Sequence, residues 1–142
     1  MARVRDLITR PAVTCGRAAS LPAIAREMYE NNVGSVVVVD KESRPIGIVT
    51  DRDIVVRALA RGLPMTTTAD AIMTHEVARV HWDADTDTAL HQMSLWACRR
   101  IPVVNDEGRI AGMVTMDDLT VGLAAAVDDL ATAERIARTP SG

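Results

Sequence analysis

Aromatic side chains are nearly missing from this chain, which has no Phe, one Tyr and two Trp. Its core must therefore be built from Val, Ile, Leu, Met and Ala, with almost no ring packing to anchor it. Cysteine is equally scarce: Cys15 and Cys98 alone make no disulfide framework, and a reduced, cytoplasmic setting is expected. Long apolar runs are lacking too. No stretch approaches the roughly 18–20 residues that cross a bilayer, and Met1-Ala2-Arg3-Val4-Arg5-Asp6 leads into no apolar segment of the secretory kind. Positive charge is not in excess either. With a net charge of −3 the chain carries no broad basic field, so neither nucleic acid nor an anionic membrane is an expected partner.

What is present is an ordinary globular balance, 48% hydrophobic and 25% charged over 142 residues, enough for one compact domain. Its organising feature is a repeat. Gly47-Ile48-Val49-Thr50-Asp51-Arg52-Asp53-Ile54 returns as Gly112-Met113-Val114-Thr115-Met116-Asp117-Asp118-Leu119, 65 positions later. The same offset relates Leu7-Ile8-Thr9 to Ile72-Met73-Thr74, Met28 to Met93, Val38-Val39 to Val103-Val104, and Arg44 to Arg109. A register held without a gap over some sixty residues marks duplicated structural units.

Each copy reads alike. A short helical turn (4–9, 69–74) leads into an extended piece (12–15, 77–82). Ser20 and Asp85 suit helix N-caps. The helices that follow carry apolar faces at Leu21, Ile24, Ala25 and Met28, and at Ala89, Leu90, Met93 and Trp96. Val36–Val39 and Ile101–Val104 are short runs suited to burial on both faces. Polar turns at 40–44 and 105–109 then predict hairpins whose second strands end at Thr50 and Thr115, where a helix starts at once. The first of these helices ends at Arg61-Gly62, with Pro64 beyond. The order β-α-β-β-α thus occurs twice, in repeats over 4–62 and 69–127, joined by a linker at 63–68 and followed by a helical extension and tail at 128–142.

A G-[IV]-V-T-x-x-D strand end, with Val36-Val37-Val38-Val39-Asp40 or Ile101-Pro102-Val103-Val104-Asn105 one hairpin earlier, resembles the cystathionine-β-synthase (CBS) repeat across roughly residues 4–127. The resemblance implies an α+β fold with two repeats packed about a pseudo-twofold axis as one module, and a homodimer that assembles four repeats into a disc. It also implies a regulatory function: binding an adenosine-containing ligand such as AMP, ADP, ATP or a related adenosyl compound, with an effector protein as the readout. No cofactor is required for that role.

The residues favoured for binding are Thr50 and Asp53 at one strand-to-helix corner, and Thr115 and Asp118 at the other. Read alone, T-x-x-D is a helix capping box. A carboxylate on a first helical turn can also accept from ribose hydroxyls, and the helix start offers amides to phosphate. By the resemblance, Thr9, Val13, Val33, Gly34 and Met113 line the cleft at Asp118, while Ile48 and Arg52 join Thr50 and Asp53 in the other, with Thr74 and Ala78. Arg99 and Arg100 stand where the first copy has Gly34 and Ser35, and suit phosphate. Asp117 stands where the first copy has Arg52, and opposes phosphate. Two unequal clefts are expected, the Asp118 one being favoured and at most one taking a phosphorylated ligand well.

Other chemistries lack support. His75, His81 and His91 fit no zinc spacing, and no nucleophile–base pair can be placed in a cleft, so neither a metal site nor an enzyme is expected. The competing reading is a ligand-independent scaffold or stress protein whose Thr–Asp corners only cap helices.

Overall fold

The computed structural model of the chain describes residues 2–8, 11–75, 78–121, 128 and 130–133. A one-turn 3₁₀ helix (Val4–Leu7) precedes β1 (Thr14–Gly16), α1 (Leu21–Asn31), β2 (Ser35–Val39), β3 (Pro45–Thr50) and α2 (Asp51–Asp53), which widens into a π-helical stretch, Ile54–Leu59. The second copy runs α3 (Ala69–Ile72), β4 (Thr74–His75), β5 (Val80–His81), α4 (Thr86–Leu95), β6 (Arg100–Val104) and β7 (Ile110–Thr115), and a helix over 116–121, α5, follows. Among the described residues there are two sheets, ordered β1-β2-β3-β4 and β5-β6-β7. In both, a parallel pair is followed by an antiparallel hairpin, with an irregularity at the equivalent places Val38/Val39 and Val103/Val104. This is the expected α+β pair of repeats.

Local chemistry sets the helix ends. Ser20 Oγ accepts from the Ala23 amide and Asp85 Oδ1 from the Thr88 amide at 2.8 Å, so both predicted N-caps form. The stops are a matched set. Asn32, Gly62 and Ala97 are left-handed, and the residue after each donates back across the last turn: Val33 to Met28, Leu63 to Ala58, and Cys98 to Met93. Predicted faces differ in detail. Leu21, Ile24 and Met28 are buried, but Ala25 is exposed, and Trp96 at the end of α4 stays 50% exposed. The opening strands are also shorter than expected.

The main departure from a simple repeat is an exchange. Ala69, Ile72 and Met73, which open the second copy, pack into the core of the first with Ile24, Val36, Val38 and Val49. Val4, Leu7 and Ile8, which open the first, pack into the core of the second with Ala89, Met93, Ile101 and Val114. Backbone hydrogen bonds fix both transfers: Val4 and Arg5 donate to the Ala84 and Trp82 carbonyls, and Ala69 donates to the Ala19 carbonyl. Arg5 also lies 4.4 Å over the Trp82 ring. Val4 and Ile72, fully buried in the other copy's core, each contribute about 1.5–3 kcal/mol. Gly47 and Gly112 make the close approach possible, because a Cβ at either would overlap Met73 or Ile8. Residues 63–68 are held as well, Leu63 against the first core and the Thr67 carbonyl by the Leu21 amide.

Candidate functional site

Both Thr–Asp corners fold as reciprocal caps. The Thr50 amide donates to Asp53 Oδ2 at 2.9 Å, and the Asp53 amide to Thr50 Oγ1 at 3.1 Å. The second corner repeats this with Thr115 and Asp118 at 3.0 and 3.1 Å. Each carboxylate therefore spends one oxygen on the helix and keeps one for other use. At the first corner that oxygen, Asp53 Oδ1, lies 3.5 Å from Arg57 Nε. Position 122, equivalent to Arg57, is glycine, so no cation arrives from there at Asp118, and Asp118 Oδ1 meets no hydrogen-bond partner among the described residues.

The first-turn amides are mostly taken, contrary to the expectation that they are open to phosphate. Asp51 donates to the Gly34 carbonyl, Arg52 to Asp51 Oδ1, and Asp53 to Thr50. At the second corner Met116 donates to the Arg99 carbonyl and Asp118 to Thr115. Neither helix start is a vacant anion cradle.

A cavity of about 700 Å³ opens at the second corner, between the two repeats. Of the expected residues, Val13, Val33, Met113, Thr115, Asp118 and Arg100 line it. Thr9 lies outside the described residues. Gly34 backs the first corner through its carbonyl, and Arg99 turns its guanidinium toward Asp117, 3.8 Å away on the exposed surface. Ile48, Thr50, Arg52 and Asp53 cluster at the first corner, Ile48 opposite Thr74 across the β3–β4 ladder, while Ala78 is buried in the second core. Glu27, Asn31 and Asn32, at the end of α1, also line the cavity and were missed. Their sequence signal is only an i,i+4 polar pair beside an apolar face; Asn31 Nδ2 donates to the Glu27 carboxylate at 3.2 Å.

A second cavity, of about 630 Å³, lies at the opposite end of the first sheet against Gly16, Arg17 and Lys41. At the equivalent place in the second repeat, His81 stands where Gly16 is and reaches Asp106 at 2.7 Å.

Two sheets of like topology, exchanged opening segments and a cavity at a duplicated Thr–Asp corner define a tandem-repeat module. The model of the CBS domain matches residues 4–59 and 69–124, and the chain belongs to that family. The uncharacterized protein MK0525 of Methanopyrus kandleri is 35% identical over 117 residues, 82% of this chain, and the chain spans only 60% of that relative's length. The CBS domain protein PAE2072 from Pyrobaculum aerophilum, complexed with AMP, is 27% identical with a TM-score of 0.76, covering 87% of this chain and 99% of that one. The CBS domain pair of MJ0100, in complex with 5′-methylthioadenosine and S-adenosyl-L-methionine, is 30% identical with a TM-score of 0.75, covering 86% and 99%. Hypoxic response protein 1 of Mycobacterium tuberculosis is 33% identical over 120 residues, 84% of this chain and 83% of that protein. The crystal structure of Hypoxic Response Protein I with two coordinated zinc ions has a TM-score of 0.76 at 31% identity, covering 84% of this chain and 97% of that one.

In this chain His81, Asp83 and Asp106 come together with metal-like spacing. An imidazole and two carboxylates are metal donors, and here they are engaged in hydrogen bonds and ion pairs. His81 Nδ1 accepts from the Asp83 amide at 3.0 Å, which places the neutral ring's proton on Nε2, directed at Asp106. Binding a metal through Nε2 would need the other tautomer, with the proton on Nδ1, and so would break the bond from the Asp83 amide and displace the Asp106 contact. Arg3 and Arg5 also sit against Asp83.

Proposed function

We propose that the chain is a regulatory module that senses an adenosine-containing ligand in the cavity framed by Thr115 and Asp118, with no catalytic activity of its own. The observation that carries this reading is Asp118 Oδ1, which has no hydrogen-bond partner among the described residues, beside a cavity whose size suits a nucleoside. A carboxylate with one free oxygen can accept from a ribose hydroxyl pair, and the apolar wall of Val13, Val33 and Met113 suits an adenine ring. The adenosine ligands carried by the two structural neighbours support the choice of ligand class. At the first corner Arg57 competes for the equivalent oxygen, which ranks that site lower.

Calorimetric titration with adenosine-containing ligands tests this. Asp118→Asn keeps an oxygen to cap the helix but loses the charge that holds ribose, and is expected to weaken binding about tenfold or more. Asp53→Asn is expected to change it little. Undiminished binding by Asp118→Asn would remove the site from consideration. One observation favours a second reading, a ligand-independent scaffold: both capping boxes are fully formed without any ligand. Under it, wild-type protein binds none of the ligands, and the Asp→Asn changes alter melting temperature alone.

As a homodimer, the module is proposed to join through the helices that follow the two corners, and to signal to an effector protein by a change in that packing.

A further inference from the structure

Resting on the ligand reading just given, we infer that the Thr115–Asp118 cavity selects among adenosyl ligands by charge. It favours uncharged, cationic or monophosphorylated ones and discriminates against the triphosphate. Among the described residues, the charged side chains on its wall are unbalanced: Glu27, Asp117 and Asp118 against one guanidinium, Arg100. Arg99 is not on the wall; its guanidinium lies 3.8 Å from Asp117 on the exposed surface, where solvent screens the pair, and it offsets that acid only in part. Backbone donors that would normally hold a phosphate chain are largely unavailable, since the Met116 and Asp118 amides already donate to the Arg99 carbonyl and Thr115 Oγ1.

A monophosphate can be met by Arg100 alone. Each further phosphate adds negative charge to a space where, among the described residues, carboxylates predominate and Arg100 is the one cation on the wall, so binding weakens along the series AMP, ADP, ATP. The methylthio group of 5′-methylthioadenosine brings no such charge, and the sulfonium of S-adenosylmethionine is attracted by the same acids. The first corner lacks this imbalance in its sequence: Gln92 stands at the position of Glu27, and Arg52 at that of Asp117.

Calorimetric titration of the intact protein, in chelator and at fixed moderate salt, with AMP, ADP, ATP, 5′-methylthioadenosine and S-adenosylmethionine tests the inference. AMP or the uncharged adenosyl ligand is expected to bind about tenfold or more tighter than ATP, and higher salt is expected to narrow the gap. Asp117→Asn and Glu27→Gln should each improve ATP relative to 5′-methylthioadenosine by about three- to tenfold. Arg100→Gln should weaken AMP more than it weakens the uncharged ligand. ATP binding as tightly as AMP, or an ATP-to-methylthioadenosine ratio untouched by Asp117→Asn, overturns charge selection and leaves the adenosine reading standing. Failure of every ligand to bind removes both.

Discussion

At the scale of single residues, the two Thr–Asp corners share one capping geometry. Asp53 and Asp118 cap helices with one oxygen each, and what differs is the fate of the other. The difference comes from Arg57 against Gly122, four positions on, where a sequence reading centred on the T-x-x-D motif does not look. A second residue-scale feature is Ala97, held at φ 50° because the Schellman stop of α4 needs a left-handed residue there. Its counterpart Asn32 tolerates that conformation better and lines the cavity. Ala97→Gly relieves the clash of Cβ with its own backbone, partly offset by the greater freedom glycine gives the unfolded chain. A net stabilisation of about 0.5–1 kcal/mol is expected, read as a higher denaturant midpoint at unchanged slope. A lower midpoint would show that Ala97 makes contacts worth more than the strain. Cys15 illustrates the reverse case, where setting rather than conformation decides chemistry. Burial, reinforced by Glu27, pushes its thiol up to about 11, so it stays protonated and inert near neutrality. The stability this contributes is present below the ordinary thiol value and is lost as pH climbs toward 11.

At the scale of elements, the repeat unit seen in the sequence is not the packing unit. A constant 65-residue offset assigns residues 4–8 to the first copy and 69–73 to the second, and the family match does the same. The cores take them crosswise. Periodicity could not show this, because a buried Val or Ile looks the same whichever core receives it. The glycines at Gly47 and Gly112 were legible only as part of the repeated motif; their reason is the Met73 and Ile8 side chains laid across them from the other copy. Gly112→Ala is expected to cost about 1–3 kcal/mol by overpacking, measured by thermal or denaturant unfolding. Trimming the intruding side chain tests the cause. Ile8→Ala combined with Gly112→Ala should be less destabilising than the two separate losses added together. Strict additivity would mean that Ile8 is not what fills the space.

At the scale of the whole molecule, the fold was readable because duplication gives every element two chances to declare itself, and the strand-to-helix corners coincide in both copies. Less of the site was readable. Its frame, Thr115 and Asp118, follows from the motif, but Glu27 and Asn32 enter from α1 of the other repeat, and only the packing of the two copies brings them there. The same pseudo-symmetry leaves one surface unexplained by the monomer. Val55, Val56 and Leu59 on the helix after the first corner, and Val121 on the helix after the second, are 46–70% exposed, with Val56 and Val121 at equivalent positions. A monomer with few aromatics has little reason to display aliphatic side chains at matched places on two helices. Burial against a second copy's like pair gives an isologous contact that closes on itself. Sedimentation velocity at micromolar concentration is expected to show a dimer for the wild type and a folded monomer for Val56→Glu/Val121→Glu, since each introduced carboxylate would be desolvated beside its symmetry mate. A wild-type monomer across the concentration range would sink this assembly, and with it the proposed route from a ligand at the Asp118 cavity, one helix turn from Val121, to another protein.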